Sequence, residues 1–251
     1  NYQASIGTNN SQNDSKLNGN DINQNISING TVDKFSYLTS FNTSKIDGLS
    51  EALNSNSGVK FENDALKATN TFVRIGFAFN DKFNIQLFNN YDKDTYDYDA
   101  GANADSDINN GENKQVRFGI TSNFNYLKGS LSLTASMNKI DRMFDSFNSW
   151  ANTTDYYEYT GKTTLVDIVN DYKFSDEIQL ITGLNYQEQS NLTNSPYGNI
   201  EDDLANYNTV DPYATVVYNL ESGFNINAGI RLNNHSEYGN HLVYNINPSF
   251  N

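Results

Sequence analysis

The chain has 251 residues, enough for one large domain, and its lack of cysteine excludes disulfide scaffolds and thiolate metal sites. A net charge of −14 argues against a nucleic-acid partner, whose phosphates need Lys and Arg. Hydrophobic content is only 37%, yet 17 Tyr and 15 Phe raise the aromatic share to 13%. Such a chain would struggle to fill a thick core but could coat a thin apolar band. No apolar run approaches the roughly 20 residues of a membrane helix, a test blind to β-barrels because their strands alternate. No signal peptide opens the chain at Asn1, as expected of a processed or cut exported sequence.

In chain order, Tyr2, Ala4 and Ile6 suggest a short first strand, followed by a polar loop over 9–20. Ile22, Ile26, Ile28 and Val32 share one parity, a tight turn falls at Asp33-Lys34, and Phe35, Tyr37, Thr39 and Phe41 continue the same face. A long connection is expected over 45–70, with room for one helical turn near 50–53. The clearest stretch is 71–91. Val73, Ile75, Phe77 and Phe79 alternate with Phe72, Arg74, Gly76 and Ala78, a polar link follows at 80–82, and Phe83, Ile85 and Leu87 resume against Asn84 and Gln86. Side chains on a strand point to opposite faces with period two, so this is a hairpin with one apolar and one polar face.

An acidic loop is expected over 92–114. Val116, Phe118, Ile120, Phe124 and Tyr126 lead to a turn at Lys128-Gly129, and Leu131, Leu133, Ala135 and Met137 lead away. Another long loop is expected over 141–156, then a long strand over 157–174 whose phase is broken by Asn170. A turn at 175–176 precedes Ile178, Leu180, Leu184 and Tyr186, and a polar loop spans 188–209. Val216, Tyr218 and Leu220 lead to a turn at 221–223. Phe224, Ile226, Ala228, Ile230 and Leu232 then form the cleanest apolar set, against Asn225, Asn227, Gly229 and Arg231. A loop over 235–240 precedes Leu242, Tyr244 and Ile246.

Connections therefore alternate short and long, as in outer-membrane barrels, and no central apolar-face position carries a charge. Tyr and Phe near strand ends would supply interfacial girdles. The expected fold is all-β: an antiparallel transmembrane β-barrel, partial, of about twelve meander strands. A soluble sandwich or solenoid is the alternative, but the loop alternation and polar second face weigh against it.

Several segments together resemble TonB-dependent receptors, the gated nutrient importers of the Gram-negative outer membrane, with closest similarity to the cobalamin-receptor branch of Bacteroidota. The carrying residues are Asp47-Gly48-Leu49-Ser50-Glu51-Ala52, Phe61-Glu62-Asn63-Asp64-Ala65-Leu66, the 72–88 hairpin, Tyr159-Thr160-Gly161-Lys162 and Ile181-Thr182-Gly183-Leu184-Asn185-Tyr186. Ala228-Gly229-Ile230-Arg231, Asn234-His235-Ser236-Glu237-Tyr238-Gly239 and Asn247-Pro248-Ser249-Phe250 complete the set. The resemblance implies a barrel of about 22 strands plugged by an N-terminal domain. The plug, the energy-coupling box before Asn1 and the barrel half after Asn251 would then lie outside 1–251. Implied partners are outer-membrane lipid, the plug domain, TonB and a small-molecule substrate such as cobalamin or a siderophore. The rival reading is a complete small barrel acting as a pore or adhesin, which would need its first and last strands paired.

No catalytic constellation is visible. His235 and His241 read as solvated loop residues rather than a metal pair, having no Cys or acidic cluster at ligand spacing. Arg74, Arg117 and Arg231 fall on polar faces and are expected to face the lumen, because a cation facing lipid is costly. The acidic run Asp92, Asp94, Asp97, Asp99, Asp105, Asp107 offers hard oxygens suited to calcium, though without EF-hand spacing. Cobalamin receptors order outer loops with calcium, so the resemblance makes calcium a candidate there, while a merely solvated acidic loop stays the alternative.

Overall fold

The computed structural model describes residues 1–8, 20–50, 52, 61–201 and 204–250. Twelve strands follow one another: β1 (Tyr2–Gly7), β2 (Asp21–Val32), β3 (Phe35–Ile46), β4 (Leu66–Asn80), β5 (Phe83–Asp97), β6 (Asn110–Tyr126), β7 (Gly129–Asn148), β8 (Thr153–Lys173), β9 (Ile178–Asn194), β10 (Asn206–Asn219), β11 (Phe224–His235) and β12 (Gly239–Phe250). They form one antiparallel sheet in strict chain order. Among the described residues no ladder joins β1 to β12.

Turn chemistry sets the hairpins. Asp33 accepts a positive φ of 52° in the two-residue β2–β3 turn, a geometry that matches strand twist. At the β4–β5 turn the Asn80 side chain accepts hydrogen bonds from the Lys82 and Phe83 amides at 2.9 and 3.0 Å, and the ladder shifts register between Ala78 and Asn80.

Register carries the alternation across the sheet. Ile75 stands opposite Tyr37 and Leu87, Leu87 opposite Ile120, Ile120 opposite Ala135 and Ala135 opposite Val166. Farther on, Val166 faces Tyr186, Ala214 faces Ile230, and Ile230 faces Tyr244. These side chains share one face. Asn170 does fall on it, opposite Leu131 and Thr182, and its side-chain oxygen accepts the Tyr126 hydroxyl at 2.6 Å. The interruption in phase is thus a capped polar group.

At the short-turn end the same face carries a continuous aromatic chain. Phe77, Phe79, Phe83, Phe124, Tyr126, Tyr172 and Phe174 follow one another with ring centroids 4.7–6.4 Å apart. These separations suit edge-to-face and offset packing.

The opposite face explains the Asn content. Asn113 donates to Asp94, Asn70 to Asp92, Asn185 to Asp167 and Gln115 to Asn138 across neighbouring strands, at 2.8–3.2 Å. Three aromatic rings lie over glycines on that face, Phe88 over Gly119, Tyr96 over Gly111 and Tyr213 over Gly183, where an added Cβ would fall 2.3, 2.4 and 2.2 Å from the ring. Each glycine lets a ring shield the backbone beside it.

The described residues form no second layer. Among them Ala52 is the sole buried apolar residue, and none has a fully buried side chain. The accessible surface is 16393 Å², against about 11,000 Å² for a compact protein of this mass. A sheet with one apolar face and no core needs an external apolar phase to cover that face.

Several connections are shorter than the sequence suggests. The long loop expected over 141–156 is a four-residue turn, because β7 runs to Asn148 and β8 begins at Thr153. The acidic loop shrinks to 98–109, the 45–70 connection to 47–65, the 188–209 loop to 195–205 and the last loop to 236–238. The reason is common to all: the strands continue past the apolar band with polar side chains, and a paired backbone ladder needs no apolar alternation. The helical turn expected near 50–53 and the loop over 9–19 fall mostly outside the described residues.

Candidate functional site

Two polar regions can meet a ligand. The first is the polar face of the sheet. Arg74 stands opposite Leu38 and Phe88, Arg117 opposite Asn90 and Asn138, and Arg231 opposite Tyr213 and Val243, so register puts all three on this face. Arg231 donates to Asp211 at 2.6 Å, and the second Asp211 oxygen accepts the Asn234 amide at 3.1 Å. Asp211 is only 5% exposed, so both oxygens are satisfied where water is scarce. A groove of about 410 Å³ beside this pair is lined by Asp167, Asn185, Tyr213, Arg231 and Asn245. Arg74 and Arg117 are exposed, with no ion pair among the described residues. Asp211 escaped sequence reading because it is not the direct register partner of Arg231.

The second region is at the long-loop end. Gly48 has φ +69°, and a Cβ there would fall 1.9 Å from the Asp64 carbonyl oxygen, so only glycine lets the two stretches touch. Asp99 accepts the Ala52 amide at 2.5 Å and the Ser50 hydroxyl at 3.0 Å. Asn109, 3% exposed, accepts the Phe147 amide at 2.7 Å and pins the 98–109 loop to the top of β7.

This packing sorts the acidic run. Asp92 and Asp94 lie in β5 on the polar face, engaged by Asn70, Asn90 and Asn113, and Asp97 ends β5 on the other face. They make no common site. Asp99 instead meets Asp105 and Glu62, with ligand oxygens within 4.8 Å of one another. One oxygen each of Asp99 and Asp105 is buried without a hydrogen-bond partner. Burial pushes the Asp99 carboxyl up, but the Ala52 amide and Ser50 hydroxyl outweigh it and hold the group below the usual range. Glu62, though exposed, is pushed up by desolvation and by its hydrogen bond with Asp105. The set offers three hard oxygens from two loops, chemistry that suits a cation such as calcium. Glu62 is 37 residues from Asp99, so only loop packing unites them.

His235 does not pair with His241. Its ring stacks between Tyr207 and Tyr238 at 4.8 and 4.7 Å, and its Nδ1 accepts the Glu237 amide at 3.1 Å.

A single-layer meander with one apolar face, an aromatic rim, short turns at one end and longer connections at the other has the architecture of a transmembrane β-barrel wall. Solved structures agree on the fold. The siderophore receptor PirA of Acinetobacter baumannii matches with TM-score 0.70 and 13% identity over 100% of this chain and 40% of its own. The ferric enterobactin receptor PfeA of Pseudomonas aeruginosa gives 0.69 and 13% over 100% and 41%, and the copper transporter OprC 0.68 and 11% over 99% and 40%. The chain thus spans about two fifths of the length of these proteins. No family profile and no curated protein matches the sequence.

Proposed function

We propose that this chain is wall of a TonB-dependent receptor barrel in the bacterial outer membrane, serving uptake of a scarce small molecule. The observation that carries this reading is the one-layer, twelve-strand sheet with a continuous apolar face, which superposes along its whole length on outer-membrane receptors. The apolar face meets lipid. The polar face lines the lumen, where Arg74 and Arg117 stand ready for carboxylates or carbonyls of a plug and Arg231 is held by Asp211 of the neighbouring strand. A complete small pore or adhesin is the weaker reading, since β1 and β12 lie at opposite edges of the sheet.

Nitroxide labels at Ile226 and Ile230 test the orientation. Collision with oxygen but not with a water-soluble nickel chelate supports it, and the reverse refutes it. For the substrate, the motifs point to cobalamin, whereas neighbours include siderophore and copper proteins. Binding titrations with cobalamin and with ferric siderophores separate the two. Calcium held by Glu62, Asp99 and Asp105 would tie the 47–65 and 98–109 loops together beside the substrate entrance. Calorimetry is expected to show calcium binding that Asp99→Asn and Asp105→Asn abolish.

A further inference from the structure

In a chain of net charge −14, one rim of the apolar face is basic. Lys45, Lys67, Lys93, Lys114, Lys139 and Lys162 lie on six consecutive strands, β3 to β8, one on each. All have the parity of the apolar face, since Lys45 follows Phe41, Lys93 follows Leu87 and Lys139 follows Met137 at even spacing. Register places Lys45 directly opposite Lys67, Lys93 opposite Lys114, and Lys139 opposite Lys162. Like charges directly opposite on a sheet destabilise it. Three such pairs along one row call for an anion between them.

Protein carboxylates answer part of the row. Glu112 pairs with Lys93 at 2.8 Å and Asp141 with Lys139 at 2.9 Å. Lys45 and Lys67 meet no carboxylate among the described residues, and Lys114 faces Asp141 across the ladder without an ion pair, because Asp141 is bound to Lys139. Hydroxyls accompany the amines. Thr69 and Thr95 share a groove of about 280 Å³ with Lys45, Lys67 and Lys93 and no carboxylate, whereas the groove of about 390 Å³ at Lys139 and Lys162 is also lined by Glu158 and Glu201. Ammonium and hydroxyl donors together suit phosphate oxygens.

Depth matches as well. Each lysine lies ten residues along its strand from a residue of the other rim: Phe35, Phe77, Phe83, Phe124, Gly129 and Tyr172. Ten residues at about 3.4 Å, tilted by about 40°, rise about 26 Å, close to the height of a barrel's apolar band. The amines therefore emerge where hydrocarbon ends and headgroups begin, and their stems cover the last apolar surface.

We infer that this lysine row docks phosphorylated lipid headgroups of the leaflet at the long-loop end. The inference rests on the barrel-wall reading above. Its test uses the protein reconstituted in phosphatidylcholine vesicles holding a trace of spin-labelled phosphatidic acid or spin-labelled phosphatidylcholine. A lysine beside an anionic surface is worth about fivefold in association at low salt, so the acidic label is expected to be preferred by about that factor or more. The triple variant Lys45→Gln, Lys67→Gln, Lys114→Gln is expected to lose most of that preference, and arginine at the same three positions to keep it. An unchanged preference in the glutamine variant overturns the inference. So does displacement of the label by inorganic phosphate when sodium chloride at equal ionic strength leaves it bound, because the row would then take free anions. A nitroxide at Ile230 in the same vesicles separates the two failures. If that label meets water, the barrel-wall reading falls and the inference with it. If it meets lipid while the acidic label shows no preference, the inference alone is overturned.

Discussion

The short-turn half of the sheet and its long-loop half share one backbone ladder but differ in what covers the same face. Near the short turns that face is aliphatic and ends in an aromatic chain from Phe77 to Phe174. Near the long connections it carries Lys114, Glu112, Asp141 and Thr160 on strands that keep pairing. β7 and β8 are 20 and 21 residues long, about twice the 9–11 a barrel strand needs to span a membrane. The difference separates two roles of a strand: presenting an apolar stripe, and carrying the long connections beyond it. Only the first leaves a hydrophobic pattern.

The largest effect should come from moving a charge between the halves. Ile120→Lys, mid-way along the apolar face, is expected to destabilise vesicle-inserted protein by about 2–4 kcal/mol, whereas Met143→Lys on the same face of the long-loop half should cost about 0–1. Urea unfolding in vesicles reads both, and equal costs would erase the distinction between the halves.

On the polar face, Asp211→Ala leaves Arg231 and the Asn234 amide without their acceptor. A loss of about 1–3 kcal/mol is expected in the same assay, with Asp211→Asn milder. In the long-loop half, Gly48→Ala should break the contact with Asp64 and speed amide exchange at Ala52, while exchange in β11 stays unchanged. An effect that spread to β11 would show that the loops and the apolar band are not separable.

Removing the hydroxyl in Tyr126→Phe should cost about 1 kcal/mol, because Asn170 would lose its cap on the apolar face. The smallest change is in acid. Asp99 is held below its unfolded pKa, so its loop contacts stabilise at neutral pH. That contribution is lost as pH falls through the folded-state value, below about 3.9, and acid should loosen the 98–109 loop before the apolar band. Glu62 has the opposite shift, so its proton should be released when a cation binds. Calcium titration in weakly buffered solution near the carboxylate range checks this, and proton-neutral binding would place the cation elsewhere.

Local pattern determined much of this protein. Side chains alternate with period two whatever the partner strand, so the apolar set Phe224, Ile226, Ala228, Ile230 and Leu232 and the phase of Arg74, Arg117 and Arg231 were legible from residue order. So were the turns at Asp33-Lys34 and at 80–82, whose chemistry lies in adjacent residues. Tertiary structure alone decided what depends on distant partners. Strand lengths beyond the apolar band rest on backbone pairing, which has no hydrophobic signature. Asp211 meets Arg231, Asp99 leaves Asp92 and Asp94 to join Glu62 and Asp105, and six lysines spread over 118 positions align in one row (162 minus 45, counted inclusively), only because register and loop packing bring separate stretches to one place.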